Sequence, residues 1–235
     1  MDGVRTVLLL RHARSTANVA GVLAGRSNGV ELDETGQQQA AELARRMGGV
    51  HITRIVSSPA TRCLQTLSPL AAELGLPIDT DDRFAEVDYG AWTGRALQDL
   101  VKEDLWRTVQ GRPSAAVFPE GEGLSQVSQR AIAGIGDLVA EGGGPVLVCS
   151  HGDVLKAILA DALGMHLDGF QRINVAPASL SVVRYSAMRP IVERINDTAD
   201  LSALLPPPPT AEDHVDADET SALTGADAVV GGAAR

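Results

Sequence analysis

Val7-Leu8-Leu9-Leu10-Arg11-His12-Ala13 and, far downstream, Val146-Leu147-Val148-Cys149-Ser150-His151-Gly152 are built on one pattern. Each is an apolar run too continuous for a strand with one wet face, and each ends in a histidine followed by a small residue. Runs of this kind read as strands buried on both faces, as in parallel sheets covered by helices. In open α/β sheets ligands collect beyond the carboxyl ends of the strands. Two histidines delivered to that edge, one with Arg11 beside it, therefore predict a shared anionic pocket.

The chain between and after these runs alternates strand and helix. Asp33 is a candidate N-cap for a helix running to about Met47, stopped by Gly48-Gly49. Arg54–Ser57 reads as a strand, and Ser58-Pro59 as the opening of a helix with proline in its first turn, ended by Gly75 and Pro77. Ile78 to about Asp81 reads as a short strand. Residues 84–122 are less regular and carry both tryptophans, read as core aromatics in preference to a roof over substrate. A helix is expected from about Leu124 to Val139, weakened by Gly134 and Gly136. After the break Gly142–Pro145 and the second quoted strand, Asp153 is expected to cap a helix Val154–Leu163. Ser179–Tyr185 alternates and is expected to pair with Ile191–Arg194. Lengths and order together predict an α/β fold, a three-layer α/β/α sandwich with a mostly parallel central sheet.

The 235 residues suit one domain over 1–202, followed at 203–235 by a Pro-rich and then acidic tail expected to be disordered. Net charge is −10, but residues 196–235 hold eight acids against Arg235 alone, so the first 195 residues carry only −3. Such a chain lacks the clustered cations that nucleic acid demands. No apolar run approaches a membrane span, and no secretory signal opens the sequence. Two cysteines, Cys63 and Cys149, suit free thiols in a reducing cytoplasm. Lysine is confined to Lys102 and Lys156, leaving arginine as the main cation, a residue suited to bidentate recognition of phosphate.

Several chemistries are absent from the sequence. Neither cysteine has arginine at the sixth following position, there is no Gly-rich phosphate loop ending in Lys-Ser/Thr, no Gly-x-Ser-x-Gly, and no histidine pair at zinc spacing. What remains is histidine plus arginine. Arg62 stands four residues after Ser58, able to reach back over the same sheet edge. If the strands are neighbours, Arg11, Arg62, His12 and His151 converge on a volume the size of one phosphoryl group. That meets the demand of phosphoryl transfer for preorganised donors around spread negative charge. A neutral imidazole is also a competent nucleophile near pH 7.

Five segments carry a resemblance. Leu10–Asn18, Leu32–Ala40, Ser57–Thr66, Glu86–Gly94 and Ser150-His151-Gly152 occur in the order of the motifs of the histidine phosphatase superfamily, in its phosphoglycerate-mutase-like branch. The resemblance implies that His12 is a phosphohistidine nucleophile and that Arg11, Arg62 and His151 clamp the phosphate. It places Ser15 and Asn18 in the pocket lining and makes Glu86 the general acid and base, with Asp88 as a fallback. It implies neither metal nor cofactor. Ala13 stands where the family usually has glycine, which matters only if that position needs a positive φ or close backbone approach. Glu122 lies near a family Gly-Glu-Ser step and is a candidate for orienting pocket arginines. Arg130 reads as structural, and His51, His166 and His214 as surface or tail residues.

The expected activity is metal-independent hydrolysis of a phosphomonoester through phosphohistidine. The alternatives are a phosphomutase of the same fold and a catalytically silent phospho-ligand module. Residues 95–120 are short and hold only Arg95, Lys102, Arg107 and Arg112, which favours the hydrolase. The partner expected is a small phosphorylated substrate, with a homodimer a possible assembly and neither nucleic acid nor membrane involved.

Overall fold

The computed structural model describes residues 5–199 except Gly48. Its strands are β1 (Arg5–Arg11), β2 (Arg54–Ser57), β3 (Ile78–Thr80), β4 (Val146–Ser150), β5 (Leu180–Tyr185) and β6 (Pro190–Asp197). They form one sheet in the order β3-β2-β4-β1-β5-β6. The first four run parallel, β5 runs antiparallel to β1, and β6 returns antiparallel to β5. The two rhyming segments are thus adjacent strands, with Val7 opposite Val146 and Arg11 opposite Ser150. This register brings both histidines to one edge.

Both faces of β1 and β4 are covered, and period-2 geometry accounts for their unbroken apolar runs. Val7, Leu9, Val146 and Val148 face one core, shared with Leu124, Val127, Leu155 and Ile158 of the helices α6 (Leu124–Glu141) and α7 (Gly152–Ala162). Leu8, Leu10, Leu147 and Cys149 face a second core, shared with α2 (Glu34–Met47) and α3 (Thr61–Leu74). A polar residue at any of these alternating positions would lose roughly 1.5–3 kcal/mol of burial. The three-layer α/β/α architecture follows.

Local signals were mostly as read. Asp33 does cap α2, its side chain accepting from the Gly36 N–H at 2.7 Å. Gly36 itself is demanded by packing, since a Cβ there would lie 1.9 Å from the carbonyl oxygen of Arg14. Three expectations need correction. α3 begins at Thr61, with Ala60 as N-cap, so Pro59 precedes the helix. Asp153 does not cap α7: His151 occupies the cap position and Asp153 is buried inside the first turn. Residues 84–122 include two short helices, α4 (Leu97–Leu100) and α5 (Asp104–Gly111), which complete the set begun by α1 (Thr16–Val19). Trp92 and Trp106 stack with centroids 6.4 Å apart in the core, and neither roofs a pocket. Among the described residues no helix is long and apolar enough to cross a membrane. The reading of 203–235 as a tail lies outside the described residues, as does His214.

Candidate active site

His12 leaves β1 with its N–H on the Ser150 carbonyl at 3.0 Å, and its own carbonyl accepts from Ala178 N–H at 3.2 Å. Its ring Nδ1 lies 2.7 Å from the Ala13 carbonyl oxygen. A carbonyl only accepts, so Nδ1 carries the proton and Nε2 keeps its lone pair. Burial, then the nearby guanidiniums of Arg62 and Arg11, hold the imidazole well below its ordinary pKa. The ring is therefore neutral at physiological pH.

Ala13, the departure from the family's glycine, is harmless here. Its φ is not positive, its N–H donates to Thr66 Oγ1 at 2.9 Å, and its methyl packs with Leu32, Ala40 and Ala178.

His151 begins α7 from the adjacent strand, its ring centroid 5.2 Å from that of His12. Arg62 Nη2 donates to Nδ1 at 3.0 Å, which assigns the ring proton to Nε2, where Ser58 Oγ lies at 2.8 Å and Cys63 Sγ at 3.6 Å. Glu86 Oε2 is 3.6 Å from the same Nδ1. Burial, followed by the charge of Arg62, depresses this imidazole too.

Arg62 enters from the first turn of α3 and also donates to the Gly25 carbonyl at 3.0 Å. Glu86 is 5% exposed, and its carboxyl is raised to about 7, chiefly by burial and next by Asp153. The backbone of Glu86 is held from outside: Arg26 and Arg130 both donate to its carbonyl, at 3.0 and 3.1 Å. Glu122 pairs with both of these arginines. Glu122 thus does orient arginines, although they are the scaffold pair and not Arg11 or Arg62. Arg130 is structural, as read.

His12, Ser15, Asn18, Arg62 and Glu86 line one small cavity of about 10 Å³, together with Val22–Gly25 and Tyr89. Ser15 caps α1 and is locked to Asn18 by a reciprocal capping box. Arg11 and His151 are not in that lining. His151 sits directly behind it, and the Arg11 guanidinium donates to the Val175 carbonyl at 2.6 Å. Burial lowers the Arg11 pKa to about 10, so the group stays cationic beneath the cavity. Asp88 also stands apart, its carboxylate accepting from Gly90 N–H. His51 and His166 are exposed. Sequence reasoning missed Tyr89, and Ser58 as partner of His151. Tyr89 and Ser58 both lie within segments that carried the resemblance, and position in a motif was the available signal.

A family model, described as "Histidine phosphatase superfamily (branch 1)", matches residues 7–198. The chain belongs to the histidine phosphatase superfamily. A relative in Yersinia pestis (strain Pestoides F), named as a probable phosphoglycerate mutase, GpmB, is 33% identical over 204 residues, covering 83% of this chain and 94% of its own. Among solved structures, YhfR of Bacillus stearothermophilus superposes with a TM-score of 0.77 at 26% identity, over 82% of this chain and 97% of the other. A mycobacterial glucosyl-3-phosphoglycerate phosphatase, solved with VO3, gives a TM-score of 0.74 at 26% identity over 82% and 99%. This member of the histidine phosphatase superfamily therefore has named phosphatases and a named mutase among its relatives, which supports a phosphatase or a mutase as the coarse activity.

Proposed function

We propose that the protein is a metal-independent phosphomonoester hydrolase that works through a phosphohistidine at His12. The observation that carries this reading is the wiring of His12: a neutral ring, Nδ1 tied to the Ala13 carbonyl, and Nε2 left as nucleophile beside Arg62. Nε2 attacks phosphorus as the bond to the leaving oxygen breaks, and the proton of Glu86 passes to that oxygen. In the second half, the Glu86 carboxylate takes a proton from water, the oxygen attacks phosphorus, and the P–N bond breaks. Inorganic phosphate leaves and both groups are restored.

Arg62, held by His151, and Arg11 from beneath carry the charge of the transferring group, with Ser15 and Asn18 beside it. A cavity of about 10 Å³ holds roughly one water. Admission of a phosphoryl group accordingly requires Arg62 to exchange the Gly25 carbonyl for phosphate oxygen, with the Val22–Gly25 strap moving outward. The substrate is a small phosphorylated molecule. A reducing cytoplasmic setting accords with the free thiols of Cys63 and Cys149.

A mutase is the second reading, favoured by the name of the Yersinia relative. It needs a second anionic site that retains the intermediate. In the 95–120 segment, Arg95 is paired with Glu103 and Lys102 with Asp99, which supports hydrolysis. The test is p-nitrophenyl phosphate without added bisphosphoglycerate. Free phosphate and an acid-labile phosphoenzyme that disappears in His12→Ala are expected. Strict dependence on the primer, with no free phosphate, would overturn the hydrolase.

A further inference from the structure

The peptide that joins Glu86 to Val87 is gripped at both of its polar atoms. Its N–H donates to Oε1 of the Glu86 carboxyl at 3.0 Å. Its carbonyl accepts from two guanidiniums, Arg26 Nε at 3.0 Å and Arg130 Nη2 at 3.1 Å. In a neutral carboxyl, the oxygen that accepts a peptide N–H is the carbonyl oxygen, so the proton rests on Oε2. The plane of this one peptide therefore sets where the carboxyl sits and which of its oxygens bears the proton.

The two arginines hold that plane from different parts of the chain. Arg130 belongs to α6 and donates also to the carbonyls of Arg83 and Ala85, which makes it part of the fixed scaffold. Arg26 is the residue that follows the strap Val22–Gly25, and its side chain is 43% exposed. Its Nη2 lies 2.9 Å from Glu122 Oε2, and the same carboxylate accepts from Asp88 N–H at 2.9 Å. A half-exposed ion pair contributes little by itself. The donation to the Glu86 carbonyl is the contact that reaches the site. Charge-assisted bonds of this kind are roughly twice as strong as neutral ones. They also polarise the peptide, which makes the Val87 N–H a better donor to Oε1.

We propose that Arg26 is a positioning residue for the general acid. It brings no charge to the phosphate; through the 86–87 peptide it holds the Glu86 carboxyl where the leaving oxygen takes its proton. The strap yields at Gly25 when substrate enters, while Arg26 stays on Glu86 and Glu122 as its fixed end. The inference rests on Glu86 being the acid of the hydrolase reading.

The experiment compares kcat/KM for two substrates, since kcat/KM reports the first, phosphorylating half-reaction. Glycerol 2-phosphate releases a poor leaving group that needs the acid, whereas p-nitrophenolate leaves without a proton. Arg26→Ala is expected to lose about tenfold on glycerol 2-phosphate and to stay within about twofold on p-nitrophenyl phosphate. Arg26→Lys, which restores a charged donor without the fork, is expected to recover part of the loss. Glu122→Gln, which weakens the grip on Arg26, is expected to shift the ratio the same way by less, and it carries the test if the alanine variant fails to fold. Glu86→Gln is the reference, with a loss of about 10²-fold or more confined largely to glycerol 2-phosphate. If Glu86→Gln is selective while Arg26→Ala loses both substrates equally or neither, the proposal is overturned and the acid reading stands. A Glu86→Gln variant that loses both substrates equally would sink the acid reading, and the role of Arg26 with it.

Discussion

The ends of β1 and β4 share one sequence pattern and one parallel register, yet their imidazoles are wired in opposite senses. His12 gives Nδ1–H to the carbonyl of the next residue and turns Nε2 to the cavity. His151 directs its Nε2 edge to Ser58 and presents Nδ1 to Arg62 and Glu86. One tautomer is set by local backbone and the other by the guanidinium of Arg62, 89 residues away. The lesson is that two histidines of identical local pattern become nucleophile and clamp through what their second nitrogen meets.

The sharpest way to break this contrast is to remove each ring in turn. His12→Ala is expected to lose roughly 10⁴-fold or more in kcat and to form no phosphoenzyme. His151→Ala is expected to lose about 10²–10³-fold while still becoming phosphorylated, because Arg62 loses the ring that holds its guanidinium in place. Trapping with radiolabelled phosphate separates the two, and a phosphoenzyme in His12→Ala would reverse the assignment. Ser58→Ala leaves the His151 ring but removes the hydroxyl at its Nε2. A loss of about tenfold in kcat is expected, comparable to one neutral hydrogen bond of roughly 1.4 kcal/mol.

Glu86 offers a contrast in pH. Its native pKa of about 7 lies above its ordinary 4.5, so it contributes stability that is present below about 4.5 and lost as pH rises through 7. Glu86→Gln has no such loss. The Tm of the variant minus that of wild type is therefore expected to grow from pH 5 to pH 8 in thermal melts, and a flat difference would contradict the raised carboxyl. The smallest effect belongs to Ala13→Gly. With φ ordinary and the methyl packed against Leu32, Ala40 and Ala178, the change is expected to cost about 0.5–1 kcal/mol in a denaturant titration and to leave kcat within about twofold.

Where the chain speaks locally, reading it worked. Asp33 before Glu34 announced a cap, and the apolar runs announced strands buried on both faces. α6 persists through Gly134 because a Cβ there would lie 2.8 Å from the ring of Phe84, so the glycine that weakens propensity serves packing. The misreadings have one cause. Asp153 has the residue type and place of an N-cap, and only the presence of Tyr89 across the core turns it into a buried partner. Arg11 stands beside His12 in sequence, yet only the folded chain shows its guanidinium anchored on the Val175 carbonyl beneath the cavity.

Sequence alone determined the strand edge, the superfamily, and the residue types available for phosphoryl chemistry, because periodicity and short motifs are local properties. Tertiary structure decided which nitrogen of each histidine is free, which carboxyl keeps its proton, and which arginine touches the cavity. Those properties depend on burial and on charges brought together from distant segments, and no stretch of chain contains them by itself.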